Sequence, residues 1–430
     1  PFFGGKIMNY SDAMDFIGQF TKSGGPIMDL SRAQQLMESL GHPEKQLRFV
    51  HVAGTNGKGT TVEFVSEALM DAGYTVGQFT SPFILRYNDR IRVNGVEIPD
   101  DDLAEICETV AENAGQRRDF SQFEITMAIA MLFFLKKRCD LVVLEAGIGG
   151  LLDCTNVIPA PDVAVITSIS LDHTALLGNT VEKIAAQKAG IIKPGCDVVI
   201  GGCLPDEAEK VIRDTCAAKG VRLFRNDMEY TVSAGLEKPC VRSEFGDFHL
   251  KMNSVASWKN LGTALEVCLR LKERGFRLTK QNIISGFNRT KVLGRTEVIQ
   301  GDPVVILDGG HNPEGVESLA ETMHLFYGDS KKVFAVAGMI KSKDYRSCIE
   351  RIGSFCSRVL TVDDFAPNAV PAQELAELCG ENAQAVGALT NAYKQATELA
   401  KAHGGAVLVC GSLYLVSQFA GSDMYRGDRK

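Results

Sequence analysis

Short, almost wholly apolar runs recur along the chain and alternate with longer stretches whose apolar residues return every three or four positions. The first kind predicts buried strands and the second helices, and their alternation is the pattern of βα units around a parallel sheet. The first strong unit is a strand over 47–53, a glycine-rich turn, and a helix running to about residue 70. Runs at 74–80, 139–145 and 162–168 follow as buried strands, each ending at polar residues. Between the first two of these, 122–137 is apolar on all sides, which predicts a buried helix.

The texture changes over 221–252, where short alternating segments such as 242–251 are separated by glycine and charge and predict antiparallel hairpins. A helix is expected over 257–274. After Gly294 and Arg295 a second βα series begins, with strands at 304–307, 333–337, 359–362 and 406–410. A boundary near residue 296 divides the chain into domains over 1–296 and 297–430, and the second, at about 130 residues, is an ordinary domain size. No internal repeat or low-complexity segment is visible.

Composition narrows the class. The 430 residues are 45% hydrophobic and 23% charged, as in a soluble globular protein. A formal net charge of -7 argues against nucleic acid as the main partner, because phosphate neutralisation needs a basic face. Nothing approaches the ~20 apolar residues of a membrane span. The opening Pro-Phe-Phe-Gly-Gly-Lys is too short for a secretory signal and receives no function. Twelve cysteines are scattered with no C-x-x-C pair, so reduced thiols in the cytoplasm are expected.

The candidate chemistry starts at Gly54-Thr55-Asn56-Gly57-Lys58-Gly59-Thr60-Thr61, between a strand and a helix. Glycines let backbone N–H groups face phosphate oxygens, and the helix N-terminus adds partial positive charge. Lys58 would reach the terminal phosphates, and Thr60 or Thr61 a phosphate or magnesium ion. The match to G-x-x-x-x-G-K-[ST] is imperfect: Val52 holds the first glycine position and Gly59 follows the lysine. Glu145, at the carboxyl end of a buried strand, stands where open α/β sheets bind ligands and can hold a hard cation.

This variant loop, read with four later segments, resembles the folylpolyglutamate synthase and dihydrofolate synthase family, relatives of the Mur ligases. The segments are Thr80-Ser-Pro-Phe83, Leu144-Glu-Ala-Gly-Ile-Gly-Gly150 with Asp153-Cys-Thr-Asn156, Leu171-Asp-His-Thr174 with Ala186-Gln-Lys-Ala-Gly190, and Asp308-Gly-Gly-His-Asn-Pro313. The resemblance spans about residues 8–420 and implies an α/β protein. Its N-terminal domain would be P-loop ATPase-like with a parallel sheet, its C-terminal domain Rossmann-like, with the active site between them.

It further implies magnesium ligands at Ser81, Glu145 and His173, and a carboxylated Lys188 helping to hold a second magnesium. Asn260, Arg295, Asp308 and His311 would contact the nucleotide, and Arg86, Arg90, Phe123 and Asp153 the acceptor. Lys58, His173 and Lys188 are the expected catalytic set, and potassium is a further candidate cation. The implied reaction serves folate biosynthesis and one-carbon metabolism: ATP phosphorylates the carboxylate of a folate or dihydropteroate, and the amine of L-glutamate displaces phosphate. A cytoplasmic monomer is expected.

Three departures stand out. Leu151 and Cys154 replace an arginine and an alanine common in the family, Leu293 replaces the proline of Pro-Gly-Arg, and Gly310 the alanine of Asp-Gly-Ala-His. The lost arginine lies beside the expected pterin pocket and leaves two other readings open. One is a Mur-type amide ligase with a different carboxylate substrate. The other is a P-loop ATP-binding protein without ligase activity.

Overall fold

The computed structural model describes residues 8–20, 29–227, 229–233, 240–252, 254–328 and 332–427, so the apolar opening at 1–7 lies outside the described residues. The chain folds into two compact units, Pro1–Asp227 with Gly262–Gly286, and Met228–Leu261 with Phe287–Lys430.

The first unit is built on eight strands: β1 (Phe49–Ala53), β2 (Val76–Phe79), β3 (Ile91–Val93), β4 (Val96–Glu97), β5 (Leu141–Glu145), β6 (Val163–Ile166), β7 (Asp197–Ile200) and β8 (Arg222–Arg225). They form one sheet in the order β4-β3-β2-β5-β1-β6-β7-β8. From β2 to β8 every pairing is parallel, and β3 and β4 add an antiparallel edge. Every residue of β1, β2, β5, β6 and β7 is buried, which is why β1, β2, β5 and β6 read as largely apolar runs rather than alternations. The helix Gln122–Lys136 is buried along most of its length and opens on a reciprocal cap, with Ser121 Oγ accepting from the Glu124 amide and Glu124 accepting from the Ser121 amide.

Three features differ from the sequence reading. β7 was not read, being only four residues long and opening on Asp197. β8 falls within the segment read as hairpins, yet it pairs in parallel with β7, because the helix Asp206–Lys219 returns the chain to the same end of the sheet. The β3–β4 hairpin went unread because its strands are only 3 and 2 residues long. Asn94 and Gly95 turn it, both at positive φ (50° and 75°), which is the Asn-Gly signature of a tight hairpin.

In the second unit β9 (Tyr230–Ser233), β10 (Cys240–Ser243) and β11 (Gly246–His249) form the expected antiparallel sheet. A six-stranded sheet follows from β12 (Arg295–Ile299), β13 (Val304–Asp308), β14 (Val333–Ala337), β15 (Arg358–Val362), β16 (Ala383–Gly387) and β17 (Ala406–Cys410). Its order is β12-β13-β17-β14-β15-β16, all parallel except β12. The four strands read from sequence are its centre. The two edges were missed, since β12 carries Arg295 and Glu297 and β16 is only partly buried and rich in alanine and glycine.

His51, in the middle of β1, is fully buried. Burial first, and then the charge of Lys193, pull its pKa from 6.5 down to about 3. The unfolded chain therefore takes up a proton below about pH 6.5 that the folded chain refuses until about pH 3. The His51 contribution to stability is fully present above pH 6.5 and is lost as the pH falls through that window. Denaturant melts from pH 7.5 to 4 should show wild type losing stability on acidification more steeply than His51→Gln; parallel curves would contradict it.

Candidate active site

The phosphate loop leaves the end of β1 and enters the helix Lys58–Asp71 at Gly57, whose φ of 84° suits glycine. Gly54 is required by space. A side-chain carbon there would lie 1.9 Å from Thr167 Oγ1 and 3.2 Å from the Ser168 amide. The loop is thus pressed against the segment that leaves β6. The Thr55 amide donates to Ser168 O (2.8 Å), the Asn56 amide to Ser168 Oγ (2.9 Å), and Thr167 Oγ1 to Asn56 O (2.6 Å). The Ser170 amide donates to Thr55 Oγ1 (3.1 Å). Sequence reasoning missed Thr167, Ser168 and Ser170; a run of hydroxyl residues directly after an apolar strand was the available signal.

Lys58 Nζ donates to the carbonyls of Gly54 (3.0 Å) and Thr55 (3.2 Å) and stands 4.0 Å from Glu145 Oε1. At that separation a full charge pair is attracted by about 4 kcal/mol at an effective dielectric of about 20. Glu145 ends β5, is buried, and accepts from the Ser81 amide at 3.2 Å. Thr60 and Thr61 are buried in the first helical turn, and Thr61 Oγ1 has no hydrogen-bond partner. Lys58, Ser81 and Glu145 are therefore brought together, with the two threonines on the turn that follows Lys58.

His173 opens the short helix Thr174–Leu177 in a left-handed conformation (φ 51°), with its Nε2 3.9 Å from Asp172 Oδ2. Lys188 is buried in the last turn of the helix Val181–Ala189.

The segments that follow β2, β5 and β6, including the short helix Thr174–Leu177, carry six of the ten exposed large apolar side chains among the described residues: Phe83, Leu85, Ile148, Leu151, Leu171 and Leu176. They are 39–68% exposed. Arg90 lies over the rings of Phe83 (5.2 Å) and Tyr87 (5.6 Å), whereas Arg86 turns to Asp100 and to Glu97 (3.6 Å). Phe123 packs on Phe79, with ring centroids 5.6 Å apart, and against Gly147, where an added carbon would meet its ring at 2.7 Å. Asp153 accepts from the amides of Ile148 (2.9 Å) and Thr155 (3.0 Å) and from Thr155 Oγ1 (2.5 Å). Burial raises its pKa, and these donors pull the other way.

The second unit holds the remaining candidates. Asp308, at the end of β13, accepts at Oδ2 from the Thr296 amide (2.9 Å) and Thr296 Oγ1 (2.7 Å), and at Oδ1 from the Gly310 amide (2.7 Å). These bonds hold Thr296 at φ 49°, a left-handed conformation that costs a β-branched residue about 1–2 kcal/mol. The register shifts at this point between Arg295 and Glu297. Burial raises the Asp308 pKa against the pull of Thr296 and Gly310. His311 Nδ1 lies 2.8 Å from Gly309 O, and Asn260 is buried in the helix Val255–Glu273.

Family models match the chain over residues 52–224 as a Mur ligase middle domain and over 294–413 as a Mur ligase glutamate ligase domain. A dihydrofolate synthase/folylpolyglutamate synthase of Bacillus subtilis is 35% identical, covering 95% of this chain and 97% of that protein. A folylpolyglutamate synthase of Lacticaseibacillus casei is 33% identical, with coverage of 95% and 97%. Among solved structures, Escherichia coli FolC in complex with DHPP and ADP superposes with a TM-score of 0.85 at 30% identity, covering 98% of this chain and 99% of that one. The chain belongs to the dihydrofolate synthase/folylpolyglutamate synthase family.

It is accordingly an ATP-dependent ligase, with the parallel-sheet first unit and mixed-sheet second unit of that family. Magnesium fits the donors of this family member. Among the described residues no cluster of three or more His, Cys, Asp or Glu side chains is assembled. A cation would therefore rest on Glu145, on hydroxyls such as the unpartnered Thr61 Oγ1, and on oxygens brought by the nucleotide, the mixture magnesium prefers. No helix among the described residues is long and apolar enough to cross a membrane, and none of the twelve cysteines is joined in a disulfide.

The tight seat of the loop predicts that Gly54→Ala lowers stability by about 1–3 kcal/mol, as overpacking does, and weakens nucleotide binding more than acceptor binding. Thermal melts and titration with a non-hydrolysable ATP analogue check it; unchanged nucleotide affinity would contradict the close approach.

Proposed function

We propose that this enzyme adds L-glutamate to a (tetrahydro)folate to form folylpolyglutamate, and that it also accepts dihydropteroate. The observation that carries the reading is the phosphate loop, with Lys58 4.0 Å from Glu145, at the same sheet edge as six exposed apolar side chains. A nucleotide end beside an apolar surface suits an acceptor with a flat ring system and a carboxylate. The first unit is a P-loop ATPase-like domain, and the second, which takes in Met228–Leu261 as well as Phe287–Lys430, carries a Rossmann-like ligase domain.

The acceptor carboxylate attacks the γ-phosphorus of ATP and ADP leaves, giving an acyl phosphate. The glutamate amine then attacks the acyl carbon, and phosphate leaves with one former carboxylate oxygen. Lys58 and the N–H groups of residues 57–60, at the start of the helix, stabilise charge on the transferring phosphoryl group. Glu145, Ser81, His173 and Thr60 are assigned to hold magnesium, which neutralises phosphate charge when bound. Lys188 is buried, and we assign it as a carbamate near a second magnesium. Potassium is a further cation.

Asn260, Arg295 and His311 are assigned to the nucleotide, and Asp308 supports them by holding the Thr296 and Gly310 backbone. Arg90, Phe123 and Asp153 are assigned to the acceptor pocket, with Arg86 at its margin. The protein acts as a cytoplasmic monomer, a setting that accords with cysteines joined in no disulfide.

The test is product mass after incubation with ATP, magnesium, glutamate and either tetrahydrofolate or dihydropteroate. A gain of one glutamyl unit on tetrahydrofolate is expected, and the same gain on dihydropteroate adds the second activity. No gain on either, with ATP hydrolysis intact, would transfer the reading to a related ligase whose pocket Leu151 has reshaped.

A further inference from the structure

His51 and Thr155, which have no part in the reaction scheme, join Asp153 in a chain of buried polar groups in the first unit. His51 Nε2 lies 2.8 Å from Thr155 Oγ1, and Thr155 Oγ1 lies 2.5 Å from Asp153 Oδ1. The Asp153 carboxylate also receives the amides of Thr155 and Ile148. None of the three side chains belongs to a residue more than 6% exposed.

The protons can be placed by counting. A threonine hydroxyl has one hydrogen, and an ionised carboxylate gathering backbone amides only accepts. Thr155 therefore donates to Asp153, which obliges His51 to donate its Nε2–H to the Thr155 oxygen. The imidazole is the neutral Nε2–H tautomer, and its buried Nδ1 has no partner. A protonated ring would bury a second N–H with no acceptor, in agreement with the depressed pKa of His51.

The far end of the chain bears on substrate. Gly147 follows the strand that ends in Glu145, and a carbon added to it would lie 2.7 Å from the Phe123 ring and 3.2 Å from Asp153 Oδ2. The Phe123 ring thus rests on backbone that Asp153 holds still. At the near end, His51 lies on β1, three residues before Gly54 of the phosphate loop that leaves that strand. A fully satisfied core histidine would end its influence at Thr155. Here the hydrogen-bonded path continues into the loop carrying Ile148 and Leu151.

We propose that His51 is a positioning residue: through Thr155 and Asp153 it fixes the Gly147–Ile148 backbone that supports the acceptor, and so governs acceptor binding rather than nucleotide binding. This rests on the reading of that loop as the acceptor site.

Two substitutions separate the donor from the bulk: His51→Phe removes the N–H, and His51→Gln retains one. Thr155→Val cuts the same path from the other side if His51→Phe fails to fold. The first readout is amide hydrogen exchange over residues 146–150 in the full chain, which needs no substrate. Protection there should fall about tenfold, the worth of roughly one hydrogen bond, in His51→Phe or Thr155→Val and be largely restored in His51→Gln. The second readout is kinetic, with the acceptor KM rising about tenfold in His51→Phe while the dissociation constant of an ATP analogue stays within about twofold.

Unchanged protection in both disrupting variants would overturn the proposal, as would a loss of nucleotide affinity equal to the loss of acceptor affinity. If wild type glutamylates neither tetrahydrofolate nor dihydropteroate, the functional reading fails, and the exchange experiment alone decides the relay.

Discussion

The close approach of the phosphate loop to the segment after β6 constrains everything else at this site. With no room for a side-chain carbon at Gly54, the loop backbone lies against Thr167 and Ser168, whose hydroxyls and main chain take up its polar groups. β1 and β6 are parallel neighbours, so their outgoing loops emerge side by side; β5 flanks β1 on the other side and delivers Glu145. The order β5-β1-β6 therefore sets a carboxylate, a phosphate loop and a hydroxyl brace in a row at the carboxyl edge of the sheet. Parallel α/β sheets place their ligands at this edge.

The same device shapes a loop in each unit. Asp153 and Asp308 are buried carboxylates whose pKa values burial raises, and both are occupied by neighbouring backbone amides and a threonine hydroxyl. Such a group is costly to leave unsatisfied and therefore rigidifies whatever satisfies it. In the first unit it orders the loop after Glu145; in the second it holds Thr296 left-handed beside Arg295. Family resemblance gives these carboxylates ligand-contacting roles. Their hydrogen bonds give them a second task, the shape of the loops that carry other candidates.

Much of this was legible in the sequence where a single physical rule dominates. Strands buried on both faces must be apolar throughout, so β1, β5, β6, β13, β14, β15 and β17 were readable from hydrophobicity alone. The glycine spacing from Gly54 to Gly59 announced a phosphate loop despite Val52. Edge strands were not legible: β12 and β16 face solvent in part, carry polar or small residues, and lack a periodic signal. β8 was misread because its alternating texture fits a hairpin, and only the preceding helix makes it parallel. The partners of the phosphate loop and the path from His51 to Asp153 join residues about a hundred positions apart, which no local pattern exposes.

The central claim is that ATP activates the acceptor by phosphorylating its carboxylate, and oxygen labelling tests it directly. With 18O in both carboxylate oxygens of the acceptor, the scheme predicts one labelled oxygen in the inorganic phosphate released for each glutamyl unit joined. Unlabelled phosphate, alongside normal product formation, would contradict an acyl phosphate intermediate and the role given to Lys58 and the phosphate loop.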